Sequence, residues 1–112
     1  MSAVVLFASA PFALAITAVS AGAAEIDVDL KGQRFEPTIV SAKPGDTIVF
    51  YNDDRELHSV LLPDNEALLA EHFIDPKASY AVVIPAIADP LTYNLVCTIH
   101  LGMKGTLQII AK

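Results

Sequence analysis

The segment Cys97-Thr98-Ile99-His100-Leu101-Gly102-Met103-Lys104-Gly105 sets a thiol, an imidazole and a thioether at positions i, i+3 and i+6. A loop between two strands can curl so that three such side chains face one point, and Gly102 and Gly105 supply backbone freedom for the curvature. Thiolate and thioether are soft donors and imidazole is borderline, so together they select copper over hard cations. Two imidazoles and a thiolate with a weak, long thioether bond make the donor set of a blue copper site. The loop holds one of the two imidazoles; the other has to come from His58 or His72. His58 is the better candidate. It lies in the strand-like Leu57-His58-Ser59-Val60, whose apolar flanks can pack while the imidazole reaches the loop. His72, beside Glu71, reads as solvated surface, and so does a second group of metal-type donors, Glu66, Glu71 and His72.

Cys97 is the single cysteine of the chain. An unpaired thiol can be a small buried hydrophobe, but in an oxidising compartment it is a liability. The beginning of the chain points to that compartment. Residues 1–24 contain no Asp, Glu, Lys, Arg or His, and all 13 acidic and 7 basic residues follow. An apolar run from Val4 to Val19, broken by Pro11, leads to Ala21-Gly22-Ala23-Ala24. This reads as a secretory signal peptide cleaved after Ala23 or Ala24, with no stable membrane insertion afterwards. Residues 25–112 then form one domain. The formal net charge of −6, with basic residues scattered singly, speaks against a nucleic-acid binder, which needs clustered Lys and Arg.

The elements that must hold the donors are strands. Ile26, Val28 and Leu30 alternate with Asp27 and Asp29. Thr38–Ala42, Thr47–Tyr51, Leu57–Leu62, Ser79–Ile84, Leu91–Val96 and Thr106–Ile110 are further strand candidates. Turn signals at Pro44-Gly45-Asp46, Pro63-Asp64 and Asp89-Pro90 separate them. Asn65–His72 is the only helical stretch, capped by Asp64 or Asn65. Asp53-Asp54-Arg55-Glu56 reads as a solvated loop, or else as a docking patch for a basic partner. The pattern predicts an all-β, Greek-key β-sandwich with one short helix.

The chain resembles the cupredoxins, small blue copper proteins that include plastocyanin, pseudoazurin and amicyanin. The resemblance rests on Phe35-Glu36-Pro37 with Val40 and Pro44-Gly45-Asp46-Thr47-Ile48, on Phe50-Tyr51-Asn52 leading to His58-Ser59-Val60, and on Tyr93 before Cys97. The Cys-x2-His-x2-Met spacing is the short form seen in amicyanin. Ser59 stands where the family often has Asn, and Ile99 where it often has Pro; Ser59 keeps the amide that in the family commonly bonds the thiolate. The resemblance implies one copper ion per chain on His58, Cys97, His100 and Met103. It implies a monomeric periplasmic electron carrier rather than an enzyme, with redox partners docking transiently near His100 on an apolar patch that includes Ile99 and Leu101. A copper carrier or an accessory component of a periplasmic copper- or iron-uptake system is the alternative, and a β-domain with a degenerate site is a third class.

Overall fold

The computed structural model describes residues 22–111, and every described element is a strand or a turn. The signal-peptide reading of residues 1–24 falls mainly on residues 1–21, outside the described part. Nine strands follow in order: β1 (Glu25–Leu30), β2 (Phe35–Glu36), β3 (Ile39–Ala42), β4 (Thr47–Asn52), β5 (His58–Val60), β6 (His72–Ile74), β7 (Ser79–Val83), β8 (Thr92–Val96) and β9 (Lys104–Ile109).

They form one sheet in the order β2-β1-β4-β7 and another in the order β3-β9-β8, with a β5-β6 ribbon. The ribbon is linked to β8 by a bridge between Leu61 and Val96. Pairings β1–β4 and β3–β9 are parallel and the rest antiparallel. Alternation decides which side chains turn inward. Val28 and Leu30 of β1, Ile48 and Phe50 of β4, and Leu107 and Ile109 of β9 are buried, while Asp27 and Asp29 are not. These residues join Phe35, Val60, Leu62, Ile84 and Leu95 in one apolar core, and Cys97 and Met103 belong to it. The donor loop is therefore rooted in the core.

The helix predicted over Asn65–His72 does not form. Asn65 caps a single turn, its carbonyl accepting from the N–H of Leu68 and Leu69 at 3.1 and 3.2 Å, and its side chain from Leu68 at 3.2 Å. The chain then straightens. Leu69 is buried, its carbonyl taken by the Leu62 N–H, and His72–Ile74 pairs with His58–Val60 as β6. Eight residues barely repay the cost of helix nucleation, whereas extending the chain at His72 lets His72–Ile74 pair with β5 and buries Ile74. The two loop glycines also serve different ends. Gly102 has φ +92°, a left-handed turn that favours glycine. At Gly105 a Cβ would lie 2.8 Å from the Thr38 carbonyl oxygen and 3.3 Å from the Phe35 ring. Gly105 thus lets β9 approach the start of β3.

Candidate metal centre

His58 is the first residue of β5 and is fully buried. Cys97 directly follows β8, and Met103 directly precedes β9. The connection between them is pinned by its own backbone: the Cys97 N–H donates to the Met103 carbonyl at 3.1 Å, and the Met103 N–H to the His100 carbonyl at 3.0 Å. The Leu61–Val96 bridge, with backbone bonds of 3.0 Å in both directions, holds the His58 strand beside the strand that ends at Cys97.

The result is a convergence of three donors. His58 Nδ1 lies 3.2 Å from His100 Nδ1, and Cys97 Sγ lies 3.5 Å from the same His100 nitrogen. Ligand atoms of His58, Cys97 and His100 all fall within 4.8 Å of one another. Two nitrogens about 2.0 Å and a sulfur about 2.3 Å from a common ion, at near-tetrahedral angles, lie about 3.3 Å (N···N) and about 3.5 Å (N···S) apart. The observed spacings match. Met103 is buried and held in the same loop. His72 is elsewhere: it is exposed and stacks on Tyr80, ring centroids 3.6 Å apart. Glu71 bonds Thr98. Among the described residues, no donor cluster contains Glu66, Glu71 or His72.

The two carboxylates Asp54 and Glu56, expected as loop residues, turn out to orient the imidazoles. His58 Nε2 lies 3.0 Å from Asp54 Oδ2, and His100 Nε2 lies 3.1 Å from Glu56 Oε1. A carboxylate only accepts, so each Nε2 carries a proton, and in its neutral form each ring turns the Nδ1 lone pair inward. Two lone pairs facing each other at 3.2 Å repel unless a cation lies between them. The Asp54 carboxyl is held below the usual range, chiefly by the His58 bond, against burial, with help from the Gly32 N–H at 3.0 Å. Asn52 builds the loop that presents both acids. It is fully buried, its amide donates to the Glu56 and Ile74 carbonyls at 2.8 Å each, and its side-chain oxygen accepts from the Asp54 N–H at 3.0 Å. The signal for these carboxylates lay in their placement two and four residues before a histidine ligand candidate, since metal-bound histidines commonly give their other N–H to a carboxylate.

The thiol is tuned for a metal as well. Burial pushes the Cys97 thiol up, but hydrogen bonds led by the backbone N–H groups of Ser59 and Ile99 outweigh it, so the group sits below its ordinary value. The Ser59 N–H lies 3.4 Å from Sγ, so the serine in this position keeps the amide bond to sulfur. A soft thiolate beside two imidazole lone pairs, largely closed off from solvent, fits one copper ion.

A family model described as a cupredoxin-like domain matches residues 3–109. No curated protein sequence matches the chain significantly. Solved structures of amicyanin share the fold. A reduced-state amicyanin variant is 24% identical with a TM-score of 0.63, over 83% of this chain and 87% of that one. A copper(I) variant and an oxidised variant each give 0.63 at 23% identity with the same coverage. With a family match running through nearly its whole length and a donor cluster suited to copper, the chain belongs to the cupredoxin-like domain family.

Proposed function

We propose that this chain is an exported one-electron carrier that holds a single copper ion on His58, Cys97 and His100, with Met103 as a weak fourth donor. The observation that carries the reading is the pair of inward Nδ1 atoms, 3.2 Å apart beside the Cys97 sulfur, each ring fixed from behind by a carboxylate. Copper, when bound, supplies a one-electron Cu(II)/Cu(I) couple that trigonal soft coordination suits in both states. Amicyanin structures of this fold include reduced copper(I) and oxidised forms. The donors stand on strand ends and on a loop closed by backbone bonds, so they are positioned in advance and little has to move on electron transfer.

His100 is the port of exchange. Its side chain is 17% exposed, against 0% for His58. Leu57, Ile99 and Leu101 are exposed apolar residues of the flanking segments, and Leu101 is entirely in solvent. Such a face suits brief contacts of small area, and the acidic charge carried by Glu56 and the chain as a whole selects a basic partner and steers its approach. Among the described residues no helix is long and apolar enough to cross a membrane.

The uncharged leader and its small-residue boundary support periplasmic export. Two bonds favour cleavage after Ala23: the Ala24 N–H donates to Asp46 Oδ1 at 2.9 Å, and its carbonyl accepts from the Thr47 N–H at 2.9 Å. Cleavage after Ala24 removes both. The mass of the mature protein recovered from a periplasmic fraction tests this.

The function is tested by adding Cu(II) to the reduced mature protein. An intense thiolate-to-copper visible band is expected, with a reversible one-electron wave and slow release of copper to a chelator. Cys97→Ser should abolish the band. Identical spectra for the two proteins overturn the reading, and rapid release to a chelator without reversible cycling assigns copper trafficking instead.

A further inference from the structure

Beyond the ligands, a chain of hydroxyl groups runs from the Cys97 sulfur to the surface. Ser59 Oγ lies 3.7 Å from Cys97 Sγ and 2.7 Å from Thr98 Oγ1. The Thr98 N–H donates to the same Ser59 oxygen at 2.7 Å, and the Thr98 hydroxyl donates to Glu71 Oε2. Ser59 is fully buried, while Thr98 and Glu71 are exposed.

Counting protons sets the direction of this chain. A carboxylate only accepts, so the one hydroxyl proton of Thr98 is committed to Glu71. The 2.7 Å contact between Ser59 and Thr98 then has a single proton left to fill it, that of Ser59. The Ser59 hydroxyl therefore points to Thr98 Oγ1 and away from the sulfur, and Ser59 gives the thiolate only its backbone N–H. Without an acceptor at position 71, the order reverses. Thr98 donates to Ser59, whose second lone pair is free for it, and the Ser59 proton turns to Sγ.

We propose that Glu71 is a positioning residue for the redox centre: through Thr98 and Ser59 it holds a hydroxyl donor off the Cys97 sulfur and so keeps the potential low. This rests on the copper reading of the preceding subsection. A hydrogen bond to the thiolate favours the more electron-rich reduced state, and hydrogen bonding around the cysteine sulfur is a recognised lever on potential. Glu71 touches no ligand; its side chain comes from the segment before β6, which reaches the loop only because β6 pairs with β5.

The test compares Glu71→Ala, which removes both charge and acceptor, with Glu71→Gln, which removes the charge and keeps an acceptor oxygen. Potentials of the copper-loaded full mature protein are measured at high salt, where exposed charges are screened. Glu71→Ala is expected to shift the Cu(II)/Cu(I) equilibrium toward Cu(I) about tenfold more than Glu71→Gln, equivalent to about 59 mV for one electron. The visible band should shift with it. Thr98→Val should reproduce the shift, because it removes the acceptor of the Ser59 proton, and adding Glu71→Ala should add nothing. In a Ser59→Ala background the difference between Ala and Gln at position 71 should vanish. Equal shifts for the two Glu71 variants, or a difference that survives Ser59→Ala, overturn the proposal.

A metal-free readout separates this outcome from failure of the copper reading. The buried Ser59 hydroxyl proton should resonate alike in the wild type and in Glu71→Gln, and shift in Glu71→Ala. An equal resonance in all three proteins refutes the relay even in a protein with an intense copper band. The expected pattern in a protein with no such band refutes the copper reading and leaves the relay standing.

Discussion

Asp54 offers a direct test of how the site is pre-set. Its Oδ2 accepts from His58 Nε2 at 3.0 Å and from the Gly32 N–H at 3.0 Å. His58 is fully buried, so Asp54→Ala removes the partner of a buried Nε2–H. The lost charge-assisted bond is worth about 1.5–3 kcal/mol. The ring then has no reason to keep its proton on Nε2, and the tautomer with Nδ1–H has no lone pair for a metal. Removing a carboxylate behind a ligand histidine typically lowers metal affinity about 10–100-fold, which is about 1.4–2.8 kcal/mol and in line with the bond itself. Asp54→Asn keeps a neutral acceptor and should fall near the lower end. Asp53→Ala is the control: Asp53 pairs with Lys31 and Lys77 at 3.7 and 3.2 Å and has no contact with either imidazole. Its effect should be under about twofold, as for an exposed ion pair. The assay is competition for Cu(I) against a chelator of known affinity, with urea denaturation of each metal-free variant to discount unfolding. Wild-type affinity in a folded Asp54→Ala protein, or equal losses for Asp53→Ala and Asp54→Ala, would refute the reasoning.

Four further outcomes are expected. Asp46 is 3% exposed and its carboxyl is held low, chiefly by the Lys43 N–H at 2.8 Å, with burial opposing and the Ala24 N–H assisting. Because its folded value lies below the unfolded one, its contribution is complete above about pH 4 and fades as pH falls further. Asp46→Asn should therefore cost about 1–3 kcal/mol at pH 7, and urea midpoints should show the gap to wild type narrowing below pH 4. Gly105→Ala should destabilise by about 1–3 kcal/mol through overpacking against Thr38 and Phe35, measured by urea denaturation. Gly102→Ala, which meets no neighbour, should cost only its left-handed backbone penalty, about 1–2 kcal/mol. Leu101→Glu should slow electron self-exchange between copies about tenfold, read by NMR line broadening, while melting temperature and potential stay put, because Leu101 contacts solvent alone. An unchanged rate would mean that electrons leave by another face.

Much of the site could be read along the chain because its chemistry is locally spaced. Cys97, His100 and Met103 sit three residues apart in one loop between two alternating segments, and a loop that short has few ways to keep them separate. The strands β1 and β9 were legible from apolar alternation, β4 from its β-branched and aromatic residues, and β3, β5, β7 and β8 as short segments set off by turn and loop signals. His58 was legible from its strand-like setting and by comparison with His72. The short strands β2 and β6 were missed, since two or three residues carry no period. The helix expected over Asn65–His72 failed for a related reason: its local preference is weak, and pairing of His72–Ile74 with β5 outweighs it.

Residue types and their spacing name the candidate metal donors and the suitability of copper for them. What surrounds those donors follows from how the strands come together. Asp54 and Glu56 became the partners of two imidazoles 42 residues apart, and Glu71 came to the cysteine loop across an interval of 27 residues. Gly102 and Gly105, alike in the sequence, proved to serve a turn and a close approach. The physical reason is reach. Donor identity is a property of single residues, whereas hydrogen-bond direction, tautomer and close contact depend on which strands lie side by side, and that is settled by burial of the whole core at once.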